Sequence, residues 1–424
     1  MNEDLKKSCF NFIYKRADDE TVIYNTFSKA IVVLDDDEYL SFQNESLSEQ
    51  MQQDLKENGI LIDRDFDEQA FLKYFHYKTK FSNKILYLTI APTLDCNFAC
   101  PYCYENRRKG KMSPKVQEAV CDYVEEMVQD GTEVIDISWY GGEPLLCFDV
   151  VEKLSERIAE ICRSHGSVLK MHMVTNGYLL SKDIVRRLDE LGVTRIQITL
   201  DGTAQNHDMT RPLRGGGGTF DRIFRNLSLF DDSPIAVVIR MNVDNRNQSD
   251  YQTVRKMIEE LDNPNISLYA SPVEDINKDR DNTVSEFMTT DQFEEFTVHT
   301  CDEGGSTSND FAVMDNRYCF CTAETEYCYV VDDRGDFYKC WDEVGRPQYR
   351  CFNILDRENA NYSHIASFVA ADPFADEKCR NCVFLPLCFG GCKFQRAHLS
   401  KSVCGFTDQT LQKYLETMYF RGNS

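Results

Sequence analysis

The fold turns on one stretch, Leu88-Thr-Ile-Ala-Pro-Thr-Leu-Asp-Cys96-Asn-Phe-Ala-Cys100-Pro-Tyr102-Cys103. Its first residues close an apolar run from Ile85 to Ala91, which predicts a buried strand. The chain then breaks into a loop with three cysteines at Cys-x3-Cys-x2-Cys spacing. Three thiolates this close can hold three corners of a 4Fe-4S cube. The fourth iron then lacks a protein ligand and can take a small molecule, as the open position of a catalytic zinc does. Zinc itself would want a fourth ligand, and the nearest histidines, His76 and His172, are distant in sequence. A loop at the C-terminal end of a strand is where parallel-barrel sites collect.

Outward from this loop, strand and helix patterns alternate. Candidate strands are Ile85–Ala91, Val134–Tyr140, Leu169–Val174, Arg195–Leu200, Ile235–Val243 and Ile266–Ala270. Helical patterns fall at Ser113–Asp130, Val150–Ser164, Ser181–Leu191 and Ser249–Leu261, with Ser113 and Ser181 as N-caps. Six strands joined this way predict a parallel sheet curled by right-handed crossovers into a partial (β/α)6 barrel over residues 84–272. Residues 1–80 read as two β-like runs, Cys9–Lys15 and Thr21–Leu34, then a helix at Ser46–Glu57, a short strand at Gly59–Ile62 and a helix at Asp67–Tyr77. Residues 273–318 are acidic and polar and read as a linker with a helix near Thr290–His299. The run Gly215–Gly218 lacks the Lys-Ser/Thr of a P-loop and reads as a flexible loop.

Composition narrows the classes. The chain has 424 residues, 42% hydrophobic and 28% charged, with a formal net charge of −23. Such a surface repels phosphate, so neither nucleic acid nor an anionic membrane is expected as a partner. No apolar stretch approaches the ~20 residues of a membrane span. The start, MNEDLKKSCFNF, has no apolar signal core, so a cytoplasmic protein is expected.

Cysteine is the outlier, with 18 residues, of which ten lie between Cys319 and Cys404. That field reads Cys319-x-Cys321, Cys328, Gly335-x4-Cys340, then Cys379-x2-Cys382-x5-Cys388-x3-Cys392, then Cys404. Thiols clustered this way in a reducing compartment are metal ligands rather than disulfides. From residue 319 regular structure thins, which predicts a lobe held by metal more than by an apolar core.

Short marks also sit at the strand ends: Gly141-Gly142-Glu143-Pro144, Thr175-Asn176-Gly177 and Gln197-Ile-Thr199-Leu-Asp201-Gly202. Together with the first cysteine triplet they resemble the radical S-adenosylmethionine (SAM) superfamily. The resemblance implies a 4Fe-4S cluster on Cys96, Cys100 and Cys103, with Tyr102 beside it. It implies SAM contacts at Gly141, Gly142, Glu143 and Pro144, at the hydroxyl of Thr199, and at Leu268, where relatives pack the adenine. In this reading glycine permits close backbone approach, and a carboxylate accepts from the SAM ammonium.

The C-terminal field resembles the SPASM lobe, which carries two auxiliary 4Fe-4S clusters. By position, Cys321, Cys328, Cys340 and Cys392 fall on the first, with Cys319 as a possible substitute for Cys321. Cys379, Cys382, Cys388 and Cys404 fall on the second. Residues 1–80 resemble a winged-helix-like element that binds the leader of a ribosomally made peptide by strand addition.

The expected activity is peptide maturation. SAM would be cleaved to a 5′-deoxyadenosyl radical, hydrogen taken from a precursor peptide, and a thioether formed from a Cys sulfur to carbon. Flavodoxin or ferredoxin would donate electrons. Carbon–carbon cross-linking and formylglycine formation are the alternatives. Formylglycine formers carry Asp directly after the cysteine equivalent to Cys340, whereas here Trp341 intervenes before Asp342, which stays a weak candidate base.

Overall fold

The computed structural model describes residues 1–16, 19–274, 286–307, 318–399, 404 and 406–420. The chain opens with β1 (Leu5–Lys7), β2 (Asn11–Lys15), β3 (Thr21–Asn25) and β4 (Ile31–Leu34). The run Thr21 to Leu34, expected as one strand, is a hairpin with Val22 opposite Val33, and β2 lies on the other side of β3. Asn25 makes the turn: its side-chain oxygen accepts from Phe27 N and Ser28 N at 3.0 and 2.8 Å. Such local bonding lets asparagine end a strand. Next come α1 (Asp36–Gln43), α2 (Glu49–Glu57), β5 (Leu61–Asp63), which pairs with β1, and α3 (Glu68–Lys80). Helix α1 escaped the sequence reading because it has no apolar stripe. A capping box holds it instead, in which Asp35 accepts from Glu38 N at 2.8 Å and Glu38 from Asp35 N at 3.1 Å.

The central sheet follows. β6 (Ile85–Ile90), β7 (Val134–Trp139), β8 (Val168–Thr175), β9 (Val193–Thr199), β10 (Ala236–Val243) and β11 (Ile266–Pro272) lie parallel, each beside its sequence neighbour. α4 (Pro114–Gln129), α5 (Phe148–His165), α6 (Lys182–Glu190), α7 (Ala204–Thr210), α8 (Phe220–Asn226) and α9 (Tyr251–Glu259) lie in the crossovers. Ser113 and Ser181 cap α4 and α6 as expected, accepting from Val116 N and Ile184 N at 3.4 and 3.3 Å. The strands alternate. Ile135, Ile137, Trp139, Ile196, Ile198, Val237 and Ile239 are buried with Val120, Val124 and Ile158 of the helices. The other face presents Asp136, Ser138, Gln197, Arg240 and Asn242, all partly open. A closed small barrel fills its inside with apolar layers; this polar inner face belongs to an open one, with room for a ligand.

The sheet does not end at six strands. β12 (Cys328–Val331) runs parallel to β6, with Cys328 opposite Tyr87. β13 (Asp336–Tyr338) and β14 (Phe352–Asn353) extend it to nine. The lobe after residue 318 is therefore more apolar than expected: Phe337, Cys351, Phe352 and Ile354 join the barrel core, where Tyr123 of α4 packs edge-on against Phe337 at 5.4 Å. Three strands of four, three and two residues are too short to show a period in the sequence.

The N-terminal sheet packs on this lobe. Phe12, Tyr14, Val22 and Tyr24 share one buried cluster with Phe384, Leu387, Phe406, Leu411 and Tyr414. Thr26 donates to Val383 O at 2.5 Å, and Arg16 pairs with Glu416 at 3.1 Å. Of the 273–318 region, the described part holds α10 (Thr290–Asp302), and residues 275–285 and 308–317 lie outside the described residues. Among the described residues no helix is long and apolar enough to cross a membrane.

Candidate functional site: a cysteine loop clamped by three strand ends

The cysteine loop follows β6 and is held by the ends of β7 and β8. Gly141 has φ +116°, and a Cβ on it would overlap Thr93 O; a Cβ on Gly142 would overlap Asp95 O. The space is filled by backbone pairing, with Gly142 N donating to Thr93 O at 3.1 Å and Glu143 N to Asp95 O at 2.9 Å. These glycines seat the strand end on the loop. Pro144 then starts a 3₁₀ turn, Pro144–Cys147.

Glu143 is fully buried. Its Oε1 accepts from Thr175 Oγ1 at 2.6 Å and Leu145 N at 3.1 Å, and its Oε2 accepts from Asn176 N at 2.8 Å. Three of about four lone-pair sites are taken, leaving one on Oε2. Asn176 in turn donates to Asn97 Oδ1 at 2.8 Å, tying β8 to the loop. The sequence reading missed Arg107, which donates to Phe98 O at 2.6 Å and Cys100 O at 2.9 Å. It also feels the charge of Cys103, Cys100 and Cys96.

Burial pushes the Cys96 thiol up to about 12 and the Cys100 thiol up to about 11. As free thiols both would stay protonated at neutral pH, so a strongly binding cation is what would hold them as thiolates. Three adjacent sulfurs with a guanidinium beside them fit an iron–sulfur cluster.

On the inner face, the Tyr102 hydroxyl bonds Asp201 and accepts from Arg211 at 2.6 Å and Asn242 Nδ2 at 3.3 Å. Thr199 pairs with Arg240 in register and so shares the inner face with it. Leu268 does not fit the adenine role read for it. It pairs with Ile239, which is buried against the helices, so Leu268 lies on the outer face. Its neighbour Tyr269, in register with Arg240, lies on the inner one and donates to Gln197 at 3.0 Å. Adjacent residues of a strand face opposite sides, so the inner-face position here is Tyr269 and not Leu268.

In the C-terminal lobe, Cys321 lies close enough to Cys328, Cys340 and Cys392 to raise each of their pKa values, after the larger effect of burial. Burial, then Glu324 and more weakly Cys321, push Cys319 up to about 12, and its Sγ also lies 3.8 Å from His76 Nδ1 on α3. Next to Cys340, Trp341 lies 4.8 Å from the Tyr140 ring at the end of β7. Burial, and then Glu274, push the Asp342 carboxyl up to about 7. Burial, then Cys103 and Asp342, raise Tyr140, whose hydroxyl bonds that of Tyr104. Asp342 accepts from Cys340 Sγ at 3.7 Å. Cys379, Cys382, Cys388 and Cys404 line one pocket with Phe384, Leu385 and Phe406. Arg396 donates to Cys379 Sγ at 3.2 Å.

Residues 90–291 match the radical SAM superfamily. The chain carries a radical SAM domain. That match begins at Ile90, the last residue of β6, and spans the cysteine loop, the Gly141–Pro144 turn and strands β7 to β11. Curated relatives of the radical SAM region include the Fe-coproporphyrin III synthase of Methanosarcina barkeri, 28% identical over 42% of this chain and 42% of that protein. The GTP 3′,8-cyclase of Aliarcobacter butzleri is 29% identical over 28% of this chain and 36% of that one. The chain thus spans under half the length of the curated relatives it matches.

Among solved structures, native anSMEcpe with bound AdoMet and Kp18Cys peptide has a TM-score of 0.62 at 21% identity, covering 78% of this chain and 96% of that one. Streptococcus suis SuiB bound to precursor peptide SuiA has a TM-score of 0.56 at 14% identity, covering 92% and 95%. The fold is thus shared with both over most of this chain.

Proposed function

We propose that this chain is a radical SAM peptide maturase that forms Cys sulfur-to-carbon thioether cross-links in a ribosomally made precursor. The observation that carries the reading is the convergence of three cysteine sets on one connected scaffold, with the Cys96–Cys103 loop and the Cys340 segment facing each other across Tyr140 and Trp341. Support also comes from the two structural neighbours, each of which holds a peptide.

Cys96, Cys100 and Cys103 would hold a 4Fe-4S cluster, which with SAM supplies a 5′-deoxyadenosyl radical. Cys321, Cys328, Cys340 and Cys392 would hold one auxiliary cluster, and Cys379, Cys382, Cys388 and Cys404 another. The free lone pair on Glu143 Oε2 and the carbonyls of the Gly141–Pro144 segment suit the SAM ammonium, and the Thr199 hydroxyl would contact SAM. Asp342 would take the proton of a substrate thiol. The β4 edge, where Ile31, Val32 and Val33 keep surface open to solvent, suits strand addition by a leader. Flavodoxin or ferredoxin would supply electrons.

The test is incubation of the anaerobically reconstituted, reduced enzyme with SAM and the Cys-containing precursor. A loss of two hydrogens per cross-link, with the cysteine no longer alkylatable, is expected. The same loss with every cysteine alkylatable means carbon–carbon coupling, and an aldehyde trapped by a hydrazine means formylglycine; either overturns the thioether. Cys100→Ala is expected to abolish 5′-deoxyadenosine release while the C-terminal clusters keep about two thirds of the iron, since each cubane needs its own thiolates. Wild-type release by that variant would remove the site assignment.

A further inference from the structure

We propose that Glu343, His364 and His398 form a mononuclear divalent metal site of the zinc class, separate from the cysteine sets. The three side chains come from three segments: the turn Trp341–Glu343, the helix Tyr362–Val369 and the helix Lys393–Leu399. One ligand atom from each lies within 4.8 Å of the others. His398 Nε2 is 2.8 Å and His364 Nε2 3.1 Å from the same oxygen, Glu343 Oε1.

A plain hydrogen-bond network accounts poorly for this arrangement. His364 Nε2 is buried and meets no hydrogen-bond geometry despite its short distance to Oε1. Its side chain is 9% exposed and that of Glu343 is 0% exposed. Two imidazole nitrogens thus converge on one carboxylate oxygen, and only His398 Nε2 meets it as a hydrogen bond, at 2.8 Å. A carboxylate taken fully out of water needs a cation, and a metal ion held between it and both imidazoles would supply one. Two histidines and a glutamate are an established zinc donor set, with one position left for water. With no sulfur among them, they favour such an ion over an iron–sulfur cluster.

The surroundings hold the ligands in place. Glu343 Oε2 accepts from Cys340 N at 3.3 Å, which fixes the carboxylate. Tyr349 packs on both rings, 4.4 Å from His398 and 5.8 Å from His364, and Phe394 lies 4.8 Å from His398. The site would pin together the turn after Cys340 and the helix after Cys392, and so would set the spacing of two cysteines on separate segments.

The test uses the full-length, cluster-reconstituted enzyme, offered ZnCl2 and then desalted. About one zinc per chain is expected beyond the cluster iron. Zinc-edge X-ray absorption should show nitrogen and oxygen at about 2.0 Å and no sulfur at about 2.3 Å. His364→Ala and His398→Ala are expected to lower zinc content about tenfold or more at unchanged iron. Should either variant misfold, Co2+ added to the wild-type holoenzyme gives the same answer: ligand-field bands without thiolate charge transfer support the site. Zinc well below one equivalent in the wild type, a sulfur shell around the zinc, or zinc retained by folded variants would overturn it.

Discussion

Glu143 shows how one buried carboxylate can organise a site. It joins the end of β7 to the end of β8 by accepting from Thr175, Asn176 and Leu145. In Glu143→Gln an amide N–H faces one of these donors, and a buried unmet donor costs about 1–3 kcal/mol. We expect a lowered thermal midpoint and weaker SAM binding, measured by calorimetry on the reconstituted protein. An unchanged midpoint would mean that the bond lost on one side contributes nothing to stability. Gly142→Ala is the sharper probe. Its Cβ would meet Asp95 O, a backbone atom that can move only with the cysteine loop. Loss of 5′-deoxyadenosine release with an unchanged far-ultraviolet spectrum is expected. The cysteines were legible at this scale because cluster ligation, if they serve it as proposed, imposes a spacing that a sequence shows. Arg107 and Asn97 were not, because a residue that bonds backbone or a neighbouring amide leaves no pattern in the sequence. Nor were Glu343, His364 and His398, which the fold gathers from irregular spacings.

At the scale of elements, the order of six strands and the caps Ser113 and Ser181 could be read from period and punctuation. Register could not. Leu268 and Tyr269 differ by one position and face opposite sides of β11. Only the pairing with Ile239 and Arg240 decides which is which. β12 to β14 were hidden for a related reason: their apolar residues sit among cysteines and turns, and their pairing partners are over 200 residues away on β6 or across a hairpin. Of the short strands, β4 makes a testable claim. Val33 is 38% exposed on a terminal strand of its sheet. Val33→Asp puts a charge where a leader strand would dock, and an affinity loss of about tenfold, or ~1.4 kcal/mol, is expected at unchanged SAM cleavage. Equal precursor affinity would move the docking elsewhere.

For the whole molecule, the N-terminal sheet is no detachable module. Its inner face shares a core with Phe384, Leu387 and Phe406, which flank the pocket of Cys379, Cys382, Cys388 and Cys404. Removing residues 1–80 would bare that core, so truncation is expected to lower iron content as well as precursor binding, read by iron and protein assay after reconstitution. A truncated chain with full iron would mean that the lobe holds its clusters alone. The long reach of β12 has a different consequence. Cys328 begins on the strand beside β6, opposite Tyr87, and β6 runs on from there to the first cysteine loop. Tyr87 to Ile90 is only roughly 10 Å of hydrogen-bonded backbone. Electron transfer slows exponentially with separation, so two clusters held there as proposed would keep a gap that no hinge can widen. Their tunnelling distance would then be a property of the sheet's register.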